Sequence, residues 1–558
     1  MNNSSKNKLF ILLIFLLAFI FRIYNLNWDS NNHLHPDERF LTMVTTDIKI
    51  PSSLPEYFNT ASSPLNPYNY PSYQFFVYGT FPLFLTKILT VYLHLDNYNQ
   101  IVLFGRLLSA LFDSANVILL YFISKKILKS YYKFLPSLFY SFLALPLQLS
   151  HFYAVDTFLN FFILLTFMAL SYRLFFPAFI AFGLALSCKI SALYFVPIIF
   201  LFVFRQFLTT KIKSKFILKI FIAFLFTFIT FRIFQPYSFT GLIIPNPQFI
   251  NSLKTLSGYS KPNIFYPPGV QWTNRLPLLN ATKNTFIWGF GIVFSFTLLL
   301  LSIRYIPKLK IKFDLVFIIS TWVIFLFFYQ SIQFVHTMRY LLPIYPFLCL
   351  IFTYLLSQLK VKKSLVLILL FLNLLTAFAF LSIYSRPNSR VQASNWIINN
   401  ISQDKIISSE YWDDALPLNS SYQSIPLSLF DPDSDLKWAT INQSLNSLDY
   451  LILSSNRLWA SIPRVPTQYP LTSKFYSDLF SERLNFTKIK EFNSYPGFNL
   501  SFLKSCYYFG PTNYPGVKNS YFSVEKNCDY PGIYFRDDTA EEAFSVYDHP
   551  KVIIFQKK

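Results

Sequence analysis

Residues 6–39 read KNKLFILLIFLLAFIFRIYNLNWDSNNHLHPDER. Lys6 and Lys8 precede an unbroken apolar run from Leu9 to Phe21, and the polar stretch His33-Leu-His35-Pro-Asp37-Glu38-Arg39 follows it closely. Basic before the run and lacking a small-residue cleavage site after it, this segment reads as a signal anchor that stays in the membrane. Ten further apolar runs follow, at approximately 101–123, 134–150, 157–172, 175–188, 190–206, 217–234, 285–303, 314–333, 340–357 and 364–383. Most approach the ~20 residues that cross a bilayer as a helix.

Composition agrees with that reading. Of the 558 residues, 53% are hydrophobic and only 13% charged, about half the usual soluble share. No soluble fold hides that much apolar surface, whereas lipid does. The net charge of +21 would suggest nucleic acid in a soluble protein. Here the basic residues gather in short clusters between apolar runs, which excludes nucleic acid and points to topology. The 67 Phe and 37 Tyr against 12 Gly reflect an AT-rich coding bias. Aromatic stripes are therefore read as lipid-facing or core packing, not as binding sites.

Four basic clusters set the expected sidedness: Lys125, Lys126 and Lys129; Lys211, Lys213, Lys215 and Lys219; Arg304, Lys308, Lys310 and Lys312; Lys360, Lys362 and Lys363. A cytoplasmic N-terminus puts all four inside. About eleven crossings then leave residues 384–558 outside. The apolar stretch 75–93 would invert every later cluster if it spanned. With Pro82, Lys87 and Tyr-rich flanks it reads as a helix in the outer interface. Loops 24–100 and 235–284 fall outside.

Residues 384–558 change character. Charges return, strand-like runs appear at Lys405–Ser408, Tyr450–Leu453 and Val552–Phe555, and helical stretches appear at Val391–Asn399 and Ser473–Phe480. This reads as an extracytoplasmic α/β domain. Cys506 and Cys528 fall within it and are expected to pair there, while Cys188 and Cys349 lie in apolar segments as inert thiols.

Acids are scarce where the chain is apolar. Between residues 100 and 383 only Asp113, Asp156 and Asp314 occur. Asp314 sits beside a basic cluster as an interfacial residue. Asp113 lies within the second run, and Arg106, two helical turns earlier on the same face, is its expected ion-pair partner. Asp156 opens a span, either as a helix cap or as a site residue. Asp37 and Glu38 stand together at the membrane surface, suited to general-base and orienting or metal-binding work, or to capping the helix that follows. Arg339 suits a phosphate at headgroup level, or snorkels. Four of the six histidines, His33, His35, His151 and His336, fall in the same outer loops. With the acids they compose a possible divalent-metal site, centred on His35, His151 and His336.

In order and membrane side, these segments resemble the GT-C superfamily, and within it the protein-O-mannosyltransferase and aminoarabinose-transferase families. The motifs that carry the resemblance are Asp37-Glu38 after the first span and Tyr70-Pro71 before the interfacial helix. They continue with Ala154-Val-Asp156, Gly183-Leu-Ala-Leu-Ser-Cys-Lys189 and Arg339-Tyr340-Leu-Leu-Pro343. The resemblance covers roughly residues 8–383. Loop 235–284, with Tyr266-Pro-Pro-Gly and Trp288-Gly-Phe-Gly291, and the C-terminal domain look like features of a bacterial subgroup.

The resemblance implies an inverting transferase that takes a sugar from a polyprenyl-phosphate donor to a glycan, lipid or protein acceptor. Asp37 would be the base and Glu38 the second candidate. Asp156 would orient a metal or the acceptor. Arg339, Lys189 and Tyr340 would hold the departing phosphate. A transporter or flippase would show Gly/Pro-broken helices and an internal repeat, and a membrane scaffold has no need of carboxylates confined to outer loops.

The expected sidedness is tested by single-cysteine labelling of intact cells at Ser214 and Ser434. Label is expected at position 434 and not at 214. The opposite pattern overturns the topology.

Overall fold

The computed structural model describes residues 3–262, 267–308, 312–418 and 422–558. Tyr266 of the loop motif and Lys310 of the third basic cluster lie outside the described residues.

The first two thirds of the chain is helical. The first apolar run forms the helix Asn3–Arg22, and the second forms Tyr98–Ser124. The latter starts where Asn97 accepts a hydrogen bond from the Gln100 amide at 3.1 Å and gives way to Lys125 and Lys126. Val155–Ser171 packs against it, Phe175–Cys188 against Val155–Ser171, and Lys213–Phe234 against Phe175–Cys188. The outermost of these, Lys213–Phe234, leaves Ile217, Leu218, Phe221 and Phe224 exposed. Such a face suits hydrocarbon, not water.

Five helices are long and apolar enough to cross a membrane: Tyr98–Ser124, Ile190–Thr209, Lys213–Phe234, Met338–Gln358 and Lys363–Asn400. Two bent pairs raise the number to seven among the described residues. The eleven separate crossings expected from hydropathy are therefore not eleven long helices. Run 134–150 breaks into Leu135–Ser141 and Ala144–Ser150. Ala144–Ser150 then meets Val155–Ser171 at a bend of 120°. Pro277–Gly289 and Ile292–Lys308 meet at 113°. Gly289 and Gly291 make that second bend. A Cβ on Gly289 would stand 2.0 Å from the Tyr345 hydroxyl, and Gly291 has φ +92°. Hydropathy sums over such breaks and cannot see them.

The stretch expected as an interfacial helix at 75–93 is helical only over Thr80–Tyr92. One face is packed and another is open: Thr86 and Lys87 are buried, Ile88 and Tyr92 are exposed, and the Lys87 amine reaches the Asp96 carboxylate at 2.8 Å. Asp113 also finds a different partner from the expected Arg106. The buried Arg22 Nε donates to it at 2.7 Å, and the Tyr140 hydroxyl does so at 2.5 Å. Arg106 is engaged elsewhere, as described below.

The C-terminal part carries two sheets. The larger has the order β2 (Gln423–Leu427), β1 (Ile406–Glu410), β3 (Tyr450–Leu453), β9 (Val552–Lys557) and β4 (Phe486–Phe492). Its first three strands are parallel, and β9 runs antiparallel to both neighbours. Helices Ser389–Asn400 and Pro470–Phe480 contain the two helical stretches read from sequence. The smaller sheet has the order β5 (Gly497–Asn499), β8 (Gly532–Phe535), β6 (Ser505–Phe509) and β7 (Phe522–Lys526). A Cys506–Cys528 disulfide ties β6 to the segment after β7, while Cys188 and Cys349 are free and buried. Denatured protein is therefore expected to alkylate at two thiols without reductant and at four with it, read by intact mass.

Candidate active site

The helix Pro36–Asp47 begins with Pro36 at its first position, and the His35 ring caps it by accepting from the Glu38 amide at 3.3 Å. Asp37 and Glu38 thus sit in its first turn, at the positive end of the helix dipole. Successive helical residues diverge by about 100°, so the two carboxylates face different surroundings.

Glu38 faces inward and is fully buried. Its two oxygens accept from the Arg106 guanidinium at 2.8 and 2.6 Å, and one also accepts from the Tyr153 amide at 2.7 Å. Arg106 donates as well to Asp29 at 3.1 and 2.9 Å and lies over the Trp28 ring at 4.8 Å. Glu38, read from the sequence as the second candidate base, is thus bound at both oxygens. Its donors are a buried cation and an amide, and the side chain is closed to solvent.

Asp37 faces the other way. Its Oδ2 accepts from Arg339 Nη1 at 2.5 Å. Arg339 Nε lies 3.7 Å from Asp156, and the Lys189 amine donates to the other Asp156 oxygen at 2.9 Å. Lys189 also stands over the Tyr340 ring, 4.4 Å from its centre. Four charges from residues 37, 156, 189 and 339 therefore alternate in sign along one line. The Asp37 and Lys189 side chains keep 27% and 22% of their surface open, against none for Glu38. The set can be reached from outside the fold; the Glu38 cluster cannot.

Local breaks place these groups. Asp156 opens Val155–Ser171 just after the 120° bend. Lys189 is extended, directly after the helix Phe175–Cys188 ends. The Gly79 amide donates to the Cys188 carbonyl at 3.0 Å, and a Cβ there would lie 2.1 Å from the Ser187 carbonyl oxygen. Only glycine allows that approach, which brings the neighbouring Tyr78 hydroxyl to Asp37. Burial works against the Asp37 charge, but Arg339, His35 and the Tyr78 hydrogen bond hold the carboxyl well below its usual range.

The histidines do not converge. His151 is held by the Leu147 and Tyr24 carbonyls at 2.7 and 3.1 Å. His336 Nε2 accepts from Asn280 at 2.9 Å, and His33 bonds Asn99 at 2.9 Å. His35 caps its helix. Among the described residues no group of three His, Cys, Asp or Glu is placed to hold a metal ion. The expected His35–His151–His336 metal set is thus corrected: each ring is used to fasten local backbone or a neighbouring amide.

Sequence reasoning missed a contribution from the far end of the chain. The segment 537–549 leaves the small sheet and packs into the helical core through Ala540 and Phe544. Glu541 accepts from the Thr337 hydroxyl and from the Met338 amide at 2.9 Å, next to Arg339. Asp548 takes the Tyr384 hydroxyl at 2.7 Å and the Gln148 amide at 3.1 Å. Burial pushes Glu541 and Glu542 up to about 7. The signal was present as a dense acidic run, Asp537-Asp538 through Glu541-Glu542 to Asp548, in a chain poor in acids.

No family model and no curated protein matches the chain. Solved structures with a similar course of chain include the oligosaccharyltransferase of Archaeoglobus fulgidus, in complex with zinc and sulfate. It is 14% identical at a TM-score of 0.47, over 84% of this chain and 71% of the other. A second structure, of the Archaeoglobus fulgidus enzyme AglB with an inhibitory peptide and a dolichol-phosphate, is 11% identical at 0.46, over 84% and 72%. ArnT from Cupriavidus metallidurans, bound to undecaprenyl phosphate, is 12% identical at 0.44, over 83% and 95%.

The sealed and the open carboxylates are expected to differ in their weight on stability. Arg106→Met leaves two buried carboxylates uncompensated and is expected to destabilise by about 3–5 kcal/mol, read as loss of folded protein in detergent. Glu38→Gln is expected to lower the thermal midpoint, while Asp37→Asn leaves it nearly unchanged. Equal stability of Glu38→Gln and wild type would return Glu38 to the chemistry.

Proposed function

We propose that this chain is a membrane glycosyltransferase that moves a sugar from a polyprenyl-phosphate donor to an acceptor hydroxyl at the outer membrane surface, with inversion. One observation carries the reading: the reachable, sign-alternating set Asp37–Arg339–Asp156–Lys189, drawn from four remote parts of the chain.

In the reaction the acceptor oxygen attacks the anomeric carbon, and the bond from that carbon to the phosphate oxygen breaks. The phosphate leaves with the electron pair, and the acceptor proton passes to a carboxylate. Arg339, with its planar fork, and Lys189, as a compact charge, meet the growing negative charge on the phosphate. Asp37 is a weak base while Arg339 holds it. A phosphate that draws Arg339 away raises the basicity of Asp37 at the moment the acceptor needs it. Donor binding and base activation are thereby one event. Asp156, shared between both cations, keeps them apart and aimed. Tyr340 supports the Lys189 amine from below.

Loss of general-base help costs about 10²–10⁴ in rate. Asp37→Asn is expected to lose transfer by that factor while keeping donor binding. Arg339→Lys is expected to weaken donor use more than folding. The measurement is transfer of radiolabelled sugar from a synthetic polyprenyl-phosphate donor to envelope extract by the purified protein. Near-normal turnover in Asp37→Asn would remove the proposed base, and normal donor dependence in Arg339→Lys the proposed phosphate contact.

A further inference from the structure

A second group of cations lies beside this site and is not absorbed by it. Arg275 Nε and Arg464 Nη1 both donate to the Gln271 carbonyl, at 2.8 and 3.3 Å. Two guanidiniums therefore share a single backbone oxygen. They come from opposite parts of the chain, the loop before Pro277–Lys283 and the Ile462–Arg464 turn of the C-terminal part. Asn274 fastens the two by donating to the Arg464 carbonyl at 2.8 Å. Lys283 lies within Coulombic range of both guanidiniums, and its amine donates to the Thr539 carbonyl at 2.6 Å.

Among the described residues, none of the three cations forms an ion pair. The acids nearest in charge are Glu541 and Glu542. Both are turned to other donors: Glu541 to Thr337 and Met338, Glu542 to Arg457 and Ser461. All three cations are half-buried. Like charges held this way repel, and the repulsion is larger in a partly desolvated site than in water. Burial and the Arg275 charge accordingly push the Arg464 guanidinium down to about 10. The same Glu541 feels both Arg275 and Arg339, which sets the group next to the reaction line.

A fold that holds three cations together with, among the described residues, no carboxylate bonded to any of them has a place for an anion. We propose that Arg275, Lys283 and Arg464 form a second oxyanion site, separate from Arg339 and Lys189, that binds a phosphoryl-type group. The guanidinium forks suit its planar faces of oxygen and the amine suits a third oxygen. The proposal does not rest on the glycosyltransferase reading. If both hold, the second site gives an anionic acceptor or a lipid headgroup a fixed position beside the sugar.

The test uses the full-length protein in uncharged detergent. Inorganic phosphate is titrated against sodium chloride of equal ionic strength, and the thermal unfolding midpoint is followed. A parallel arm compares phosphatidylcholine nanodiscs with and without phosphatidic acid. Phosphate or phosphatidic acid is expected to raise the midpoint. Arg464→Gln and Arg275→Gln are each expected to raise the midpoint without anion, by relief of repulsion, and to weaken the anion response at least tenfold. Arg339→Lys is expected to keep it. A response to free phosphate identifies a soluble oxyanion as ligand, and a response to phosphatidic acid alone identifies a lipid headgroup. No response in either arm overturns the site. So does a response that survives both Gln variants, because the anion would then be bound elsewhere.

Discussion

The buried guanidinium of Arg106 is the constraint from which the arrangement of the site follows. It receives Glu38 on one side and Asp29 on the other, with neither carboxylate open to water. Three charges out of water are tolerated because each is met by several donors or acceptors, including the Tyr153 and Leu34 amides. The consequence is geometric. Asp29 and Glu38 bracket the segment after the first helix, so Arg106 pins that segment to Tyr98–Ser124 and fixes the rotation of Pro36–Asp47. Once Glu38 is locked inward, Asp37 must face Arg339. The Tyr153 amide adds the bend before Val155–Ser171 to the same cluster, which delivers Asp156.

Two sets of ion pairs thus lie back to back and differ in exposure. The Arg106 cluster is sealed, and removal of Arg106 leaves two buried carboxylates uncompensated. The Asp37–Arg339–Asp156–Lys189 line is partly open, so its pairs can be exchanged for contacts to a ligand. In the proposed reaction the residue types that serve as scaffold in the first place are the working groups in the second. Accessibility is what distinguishes the two sets.

The C-terminal part is not an appendage to the helices. Phe544 packs against Trp288 and Phe380 with ring centres 6.0 and 5.5 Å away, and Arg39 pairs with Asp414 at 2.6 Å. Within segment 537–549 the His549 ring bridges Asp548 and Asp537 at 2.5 and 2.6 Å. Burial acts against that imidazolium, but the two carboxylates hold its proton to about pH 10. The strap that carries Glu541 to Thr337 and Met338 is therefore pinned by charge as well as by aromatic packing.

Much of this was legible from the chain. Apolar runs gave the helical part, because lipid-facing length is a local property. Strand periods located β1, β3 and β9, since side-chain alternation is local too. Asp37, Asp156 and Arg339 stood out because charged groups are rare in such a background, while Lys189 and Tyr340 came only from the family resemblance. Partnership was not legible. Helical spacing paired Arg106 with Asp113, but both are bound across the fold, to Glu38 and Asp29 and to Arg22 respectively. Histidines grouped by loop proved to be far-apart fasteners. Sequence by itself determined which segments are helical, which are apolar, and which few charges occur among them, through terms that act over one or two turns. Only the tertiary structure decided that Glu38 is sealed while Asp37 is open, and that residue 541 reaches residues 337 and 338. Those outcomes depend on which surfaces exclude water, and that is set by contacts hundreds of residues apart.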